Sequence, residues 1–469
     1  MEEGAEWLEG YQSGGFHPTL LGEYYHEGRY KVIHKLGHGS YSTVWLACDT
    51  VDRKNVALKI LSADRPSRNR ETEIMRLLTS EKTKDQGKKH PGSAYVLSIL
   101  DEFFIEGPNG KHLCVVTPLA GGSVSFSKEC ARESPGKFPL SASRSIVAQI
   151  ALGLEYIHSC GIVHGDLHCN NIFLEIPGLD TVSETEIYSY IGEPRKFPIE
   201  RVDDLLLGPE TPAYYVLPAM IELISDETVH NPKIVIGDFG EAYFSTDARD
   251  RGYLNTPIKL RPPEAFFNEY LGAKVDVWTL ACTAFEILGT HGLFTEEEDL
   301  CIAEMINHLG PLPERWWETW EAKDEFFYPS GAPRDIPQFK SLAEHMLAMG
   351  RGQTPEASEF SKDEFIALEI LFKKMLTYES VDRITSSEVV ASDWMQNWAV
   401  GDLAEPAPRQ ALQALLEGCR EFGPIFKEQD KKFLAKVAKM KAQKARAKWT
   451  ERQENKAEVR EPPDEASSH

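Results

Sequence analysis

The run IVHGDLHCNNIF, from Ile162 to Phe173, constrains the chain more than any other stretch. Asp166 and Asn171 stand five positions apart in a polar loop, and the apolar IFL that follows reads as a strand. Further on, KIVIG reads as a second short strand, and Asp238 opens the DFG behind it. One carboxylate to orient an attacking hydroxyl, with an amide and a second carboxylate to hold Mg²⁺ against phosphates, is the minimum set for phosphoryl transfer.

Two features upstream belong to the same chemistry. In LGHGSYSTVW, Gly37 and Gly39 fall between two strands, and Ser42 stands where a third glycine would complete the pattern. Without a Cβ, backbone N–H groups can approach an anion, so the loop Leu36, Gly37, His38, Gly39, Ser40, Tyr41, Ser42, Thr43 and Val44 is expected to cover a nucleotide's phosphates. An ordinary tight hairpin would use the same letters. A strand rather than a helix behind the loop excludes a Rossmann turn. In VALKI, Lys59 interrupts an apolar strand; it can snorkel to water, or bind phosphates while an acid on the next helix holds it. Glu73, at the head of EIMRLL, is the expected partner, since its spacing to Leu77 and Leu78 puts those leucines on the packed side; Glu71 is the runner-up.

The strand-like runs RYKVIHKLG, YSTVWLACD, NVALKIL and KHLCVVTPL, with AYVLSILDEFFIEG also read as strand, predict a sheet-rich unit over 30–121. Beyond it the pattern turns helical, most clearly in ASRSIVAQIALGLEYIHSCG, where Gly161 is placed to stop the helix. Residues 1–29 form a lead-in, and 122–398 a larger helical unit interrupted at about 175–233 by a turn-rich insertion. The last part, 399–469, is a basic tail whose Lys/Arg/Ala composition favours helix. Acidic residues exceed basic ones by 73 − 51 = 22, which argues against general nucleic-acid binding and suits a basic partner or merely a soluble surface. Eight Cys without a C-x-x-C pair read as reduced thiols in an intracellular protein, and MEEGAEWLEG lacks the features of a signal peptide. No run is long and apolar enough to suggest a membrane anchor.

In this order and context the motifs resemble a eukaryotic protein kinase from about Tyr30 to Trp398. The resemblance implies an α+β, two-lobed fold with a small antiparallel sheet and one main helix above a mostly helical lobe. It implies ATP and Mg²⁺ as cofactors, Asp166 and Lys59 with Glu73 as catalytic residues, and Asn171 and Asp238 as metal ligands. Adenine is expected near Ala57, with Thr117 at the gatekeeper position and backbone groups offered by Leu119 and Ala120. Glu264 in LRPPE matches the acid that pairs with a late arginine, here Arg383, and Asp276 in VDVW matches the acid that braces the catalytic loop.

GGFHP at Gly14 to Pro18, Ser42, the insertion before DFG and TEEEDLCIAEMINHLGPLPERW from Thr295 are similar to the serine/arginine-protein kinases, and EPRKFPI with the short spacer to compact members found in fungi. This resemblance implies a monomeric Ser/Thr kinase of the cytoplasm or nucleus, acting on Arg/Ser-rich proteins of mRNA splicing. Glu296, Glu297, Glu298 and Asp299 would contribute to an acidic docking groove, although carboxylates there equally suit a helix N-terminus. The chain departs from the kinase pattern twice. Gly165 replaces the arginine that receives an activation-loop phosphate, which implies a constitutively ordered activation segment. His168 stands where a lysine is usual, and a ring that is charged only in part near neutrality would assist the γ-phosphate less strongly. The rival reading is a pseudokinase, a nucleotide-binding scaffold for a basic partner.

Overall fold

The computed structural model describes residues 5–64, 68–84, 90–130, 136–201, 205–219, 230–248, 251–334, 340–352 and 357–403, so the basic tail expected over 399–469 lies almost wholly outside the described residues. All the described residues belong to one unit, Gly4–Leu416.

Six antiparallel strands make the smaller lobe: β1 (Tyr24–Tyr25), β2 (Tyr30–Gly39), β3 (Ser42–Asp49), β4 (Lys54–Leu61), β5 (Asp101–Gly107) and β6 (Gly110–Pro118). Their order is β1-β2-β3-β4-β6-β5. Alternation along β3 explains its two faces. Trp45 and Ala47 enter a core with Tyr30, Leu58 and Val116, while Ser42 and Val44 face the cleft below. Helix α1 (Arg68–Lys84) packs under this sheet through Ile74, Met75 and Leu78, a 3.6-period stripe. The strand read over AYVLSILDEFFIEG is shorter than expected. Its first two residues, Ala94 and Tyr95, end a 3-10 turn, Pro91–Tyr95, where Pro91 sits at the first position and the His90 ring accepts the Gly92 N–H, and the strand itself begins only at Asp101. A Cβ on Gly92 would lie 1.8 Å from the Leu152 carbonyl, so the turn abuts the long helix of the larger lobe.

That helix, α3 (Leu140–Ser159), is preceded by the short α2 (Val124–Glu129) and is apolar on most of its circumference because it is buried on most sides. Gly161, at φ +73, turns the chain out of it into β7 (Ile162–Val163). Next come β8 (Ile172–Leu174), the insertion with α4 (Glu184–Ile191) and the hairpin β9 (Lys196–Pro198)–β10 (Tyr214–Val216), then β11 (Ile234–Ile236) and β12 (Tyr243–Phe244). β8 pairs with β11 in the register Ile172↔Ile236, and β12 with β7 through Tyr243↔Val163. Two loops, 164–171 and 237–242, therefore emerge side by side at one end of these ribbons, and the Gly237 N–H donates to the Asn171 carbonyl at 2.9 Å. The register alone brings Asn171 and Asp238 together. Behind them stands the helix Lys274–Leu288, buried along nearly its whole length, and no helix among the described residues is long and apolar enough to cross a membrane.

Candidate active site

Between the lobes lies a cavity of about 610 Å³, within the range of small-molecule sites. Its roof includes Leu36, Gly37, His38, Gly39, Ser42 and Val44, its back Ala57 and Thr117, and its deep end Lys59 and Asp238. Gly37 faces open space, so a side chain there would enter the cavity. Ala120 also lines it. Four residues expected to touch nucleotide do not line the cavity. Thr43 is one pleat out of phase and accepts the Trp45 indole N–H at 3.0 Å on the other face. Ser40 and Tyr41 form the hairpin tip, with the Tyr41 ring exposed, and Leu119 turns a buried side chain away.

Lys59 Nζ lies 2.5 Å from Glu71 Oε1 and 3.2 Å from Asp238 Oδ1. Glu71, not Glu73, is the acid that holds it. The correction follows from helix geometry: Glu71, Ile74, Met75 and Leu78 fall at i, i+3, i+4 and i+7 on the inward stripe, while Glu73 is exposed. Counting from Glu73 to two leucines found the apolar face but put the acid a residue pair out of phase. Burial opposes the ammonium's charge, but Asp238 and Glu71 outweigh it and hold Lys59 above the usual lysine range. Lys59, in turn, pulls the Asp238 carboxyl down to about 2. Asp238 also sits at φ +52, a region that Asp tolerates better than most residues, which aims its carboxylate into the cleft.

The loop carrying Asp166 is held from behind. Asp276 accepts the backbone N–H groups of His164 and Gly165 at 2.7 and 2.9 Å and faces His158 Nε2 at 3.0 Å. The His164 ring, fully buried, bonds the Gly237 carbonyl at 3.0 Å and so links this loop to the next. Asn171 Nδ2 donates to the Asp166 carbonyl at 2.9 Å and to Asp166 Oδ2 at 3.2 Å. Asp166 Oδ1 is buried without a hydrogen-bond partner among the described residues. One carboxylate oxygen is thus engaged by the loop's own amide, and the other is enclosed without a donor. His168 does not line the cavity. Its Nδ1 accepts the Asn170 N–H at 3.2 Å, and its Nε2 faces Asp166 Oδ2 at 3.4 Å, so the ring braces the catalytic-loop carboxylate.

Gly165 does more than omit an arginine. At φ +76 it takes a conformation that disfavours side chains, and a Cβ there would lie 2.9 Å from the Glu241 carbonyl. Thr256 Oγ1 donates to its carbonyl at 2.8 Å. The segment beyond DFG is tied by an ion pair between Arg251 Nη2 and Glu241 Oε2 at 2.8 Å, with the guanidinium over the Tyr243 ring. Further along, Arg383 makes a two-pronged bond to Glu264 at 2.7 and 2.8 Å, both side chains buried. The acidic run divides: Glu296 faces Lys259 at 3.2 Å, Glu298 faces Arg261 at 3.7 Å, Asp299 accepts the Trp320 indole N–H, and Glu297 stands exposed at the head of the helix Glu298–Leu309.

A divalent cation fits this donor set. Asp238 and Asn171 offer hard oxygen ligands on adjacent loops, and among the described residues no group of three His, Cys, Asp or Glu gathers to make a closed protein cage. An ion that takes one or two protein oxygens and completes its shell with phosphates and water suits such a site. Phe126, Pro218 and Ala219, which also line the cavity, carry no sequence motif; they reach it through long-range folding.

Residues 30–179 match the protein kinase domain family. The chain is 28% identical over 423 residues to "Protein kinase dsk1" of Schizosaccharomyces pombe, covering 71% of this chain and 76% of that protein. It is also 28% identical over 415 residues to "Serine/threonine-protein kinase SRPK" of Physarum polycephalum, covering 83% and 91%. Over a shorter span of 174 residues it is 33% identical to human "SRSF protein kinase 3", covering 37% of this chain and 30% of that one. A kinase uses ATP with a divalent metal and acts on protein substrates, and the cleft has the size for the nucleotide and the oxygen donors for the metal. Domain, relatives and geometry agree that the chain is a protein serine/threonine kinase resembling the serine/arginine-protein kinases.

Proposed function

We propose that this kinase transfers the γ-phosphoryl group of MgATP to serine, less often threonine, in Arg/Ser-rich proteins. The observation that carries the catalytic part is Lys59 Nζ bridging Glu71 and Asp238 at 2.5 and 3.2 Å at the deep end of the cleft. Bound there, MgATP supplies the phosphoryl group and the cation that neutralises it. Lys59, fixed by Glu71, positions the phosphates; Asn171 and Asp238 are the protein's ligands for Mg²⁺. Asp166 accepts and orients the substrate hydroxyl, and His168 Nε2 steadies its Oδ2. Gly37 and Gly39 let the hairpin settle over the phosphates. The Arg251–Glu241 pair keeps the activation segment ordered without a phosphate.

The substrate reading rests on the excess of 22 negative charges and on the run Glu296–Asp299. Exposed ion pairs such as Lys259–Glu296 contribute roughly 0–1 kcal/mol each, so an Arg-rich segment can displace them at little cost. Docking then gains several charge-assisted contacts and becomes strongly salt-dependent. The test is affinity for an Arg/Ser-repeat peptide after reversing Glu296, Glu297 and Glu298 to Lys; Asp299 is left intact because it holds Trp320. A loss of about tenfold or more that shrinks in high salt is expected. Unchanged affinity would remove the acidic run from substrate recognition.

A further inference from the structure

The insertion begins and ends in the larger lobe, where the Glu175 N–H donates to the Lys233 carbonyl at 2.7 Å and the two side chains pair. Between these ends it crosses the smaller lobe. Asn55 Nδ2 donates to the Leu179 and Val182 carbonyls at 3.2 and 2.7 Å. Helix α4 lies against β2, with Glu184 2.7 Å from Lys31 Nζ and the Tyr188 hydroxyl donating to the Ile33 carbonyl at 3.1 Å. The Tyr214 hydroxyl of β10 accepts the Leu21 N–H at 3.1 Å. The chain then reaches the nucleotide cleft.

There the β2–β3 ladder shifts register between Lys35 and Gly37, skipping Leu36. At that gap the Ala219 N–H donates to the Lys35 carbonyl at 2.8 Å. The anchor is buried: the Lys35 ammonium has no exposed surface, pairs with Glu6 and lies 5.4 Å from the centre of the Trp45 ring. Pro218 and Ala219 consequently stand beside Leu36 and line the same cavity as Lys59 and Asp238.

We propose that Pro218 and Ala219 are nucleotide-site residues, so that the insertion supplies a wall of the cleft and sets how tightly the kinase holds its nucleotide. This rests on the reading of the cavity as the ATP site. In a cleft without this wall, the edge of the roof at Leu36 would face solvent. Here an apolar ring and one methyl group occupy that edge, and a backbone hydrogen bond holds them in place. The small side chain of Ala219 leaves room for the ligand, so a large one would intrude.

Calorimetric titration of the full chain with Mg²⁺ and the non-hydrolysable analogue AMP-PNP tests this. Ala219→Trp should weaken binding at least about tenfold and Pro218→Gly about three- to tenfold. With both, KM for ATP should rise while kcat at saturating ATP stays within about twofold, a split that a general loss of structure would not give. Melting temperatures without nucleotide should match the wild type; if Ala219→Trp does not fold, Pro218→Gly decides. Wild-type affinity in both variants overturns the inference and leaves the ATP site standing. A wild-type chain that takes up no nucleotide overturns the ATP reading itself, and this inference with it.

Discussion

Exchanging single carboxylates for amides on α1 isolates the contact on which phosphate positioning depends. In Glu71→Gln the side chain keeps its shape and one hydrogen bond to Lys59, but the partner's charge is lost. A hydrogen bond to a charged group contributes about 1.5–3 kcal/mol and a neutral one about 1, and Lys59 keeps its second partner, Asp238, at 3.2 Å. The net loss is about 0.5–2 kcal/mol, or roughly 2- to 30-fold in kcat/KM for ATP. Glu73→Gln changes an exposed side chain and should leave kcat/KM within about twofold. Steady-state phosphorylation with varied ATP measures both. If Glu73→Gln costs as much as Glu71→Gln, or more, the inward assignment of Glu71 is wrong.

Glu304 is buried, and burial pushes its carboxyl up to about 7 from 4.5 although it accepts the Thr295 N–H at 2.9 Å. The folded chain then holds a proton that the unfolded chain releases, so this contribution is full below about pH 4.5 and is lost as pH rises to about 7. The loss is on the order of 3 kcal/mol, and Glu304→Gln should flatten the difference between unfolding free energies measured across that window. Arg383→Leu strands Glu264, only 2% exposed, without its partner and should cost about 3–5 kcal/mol in urea unfolding, much of it recovered by adding Glu264→Leu. Phosphatase treatment should leave activity within about twofold, because Gly165 offers no charge for a phosphate and Arg251–Glu241 already orders the segment; a loss of tenfold or more would refute this.

What the sequence disclosed was chemistry set by local pattern. The apolar triplets IFL and IVI, paired residue for residue, place Asn171 and Asp238 on adjacent loops, and their motifs are readable because the strands are short and fully apolar. Two expectations fail by phase: distance to the leucines points to Glu73 where the inward stripe runs through Glu71, and Thr43 belongs to the phosphate-loop motif although strand alternation turns it outward. Pro91 and Gly92 had already signalled the turn that shortens the expected strand. The insertion was illegible for a different reason. Asn55, Tyr188 and Tyr214 hold it through side-chain bonds to distant backbone, and such bonds leave no periodicity in the sequence.

The most direct test is single-turnover transfer of label from γ-³²P-ATP to an Arg/Ser-repeat peptide, with nucleotide binding measured in parallel. The wild type should label serine, and Asp166→Asn should bind nucleotide with unchanged affinity while labelling about 10²- to 10⁴-fold more slowly. Transfer by Asp166→Asn at the wild-type rate would contradict the assignment of Asp166, and a wild type that binds ATP yet labels no peptide would contradict the proposed substrate.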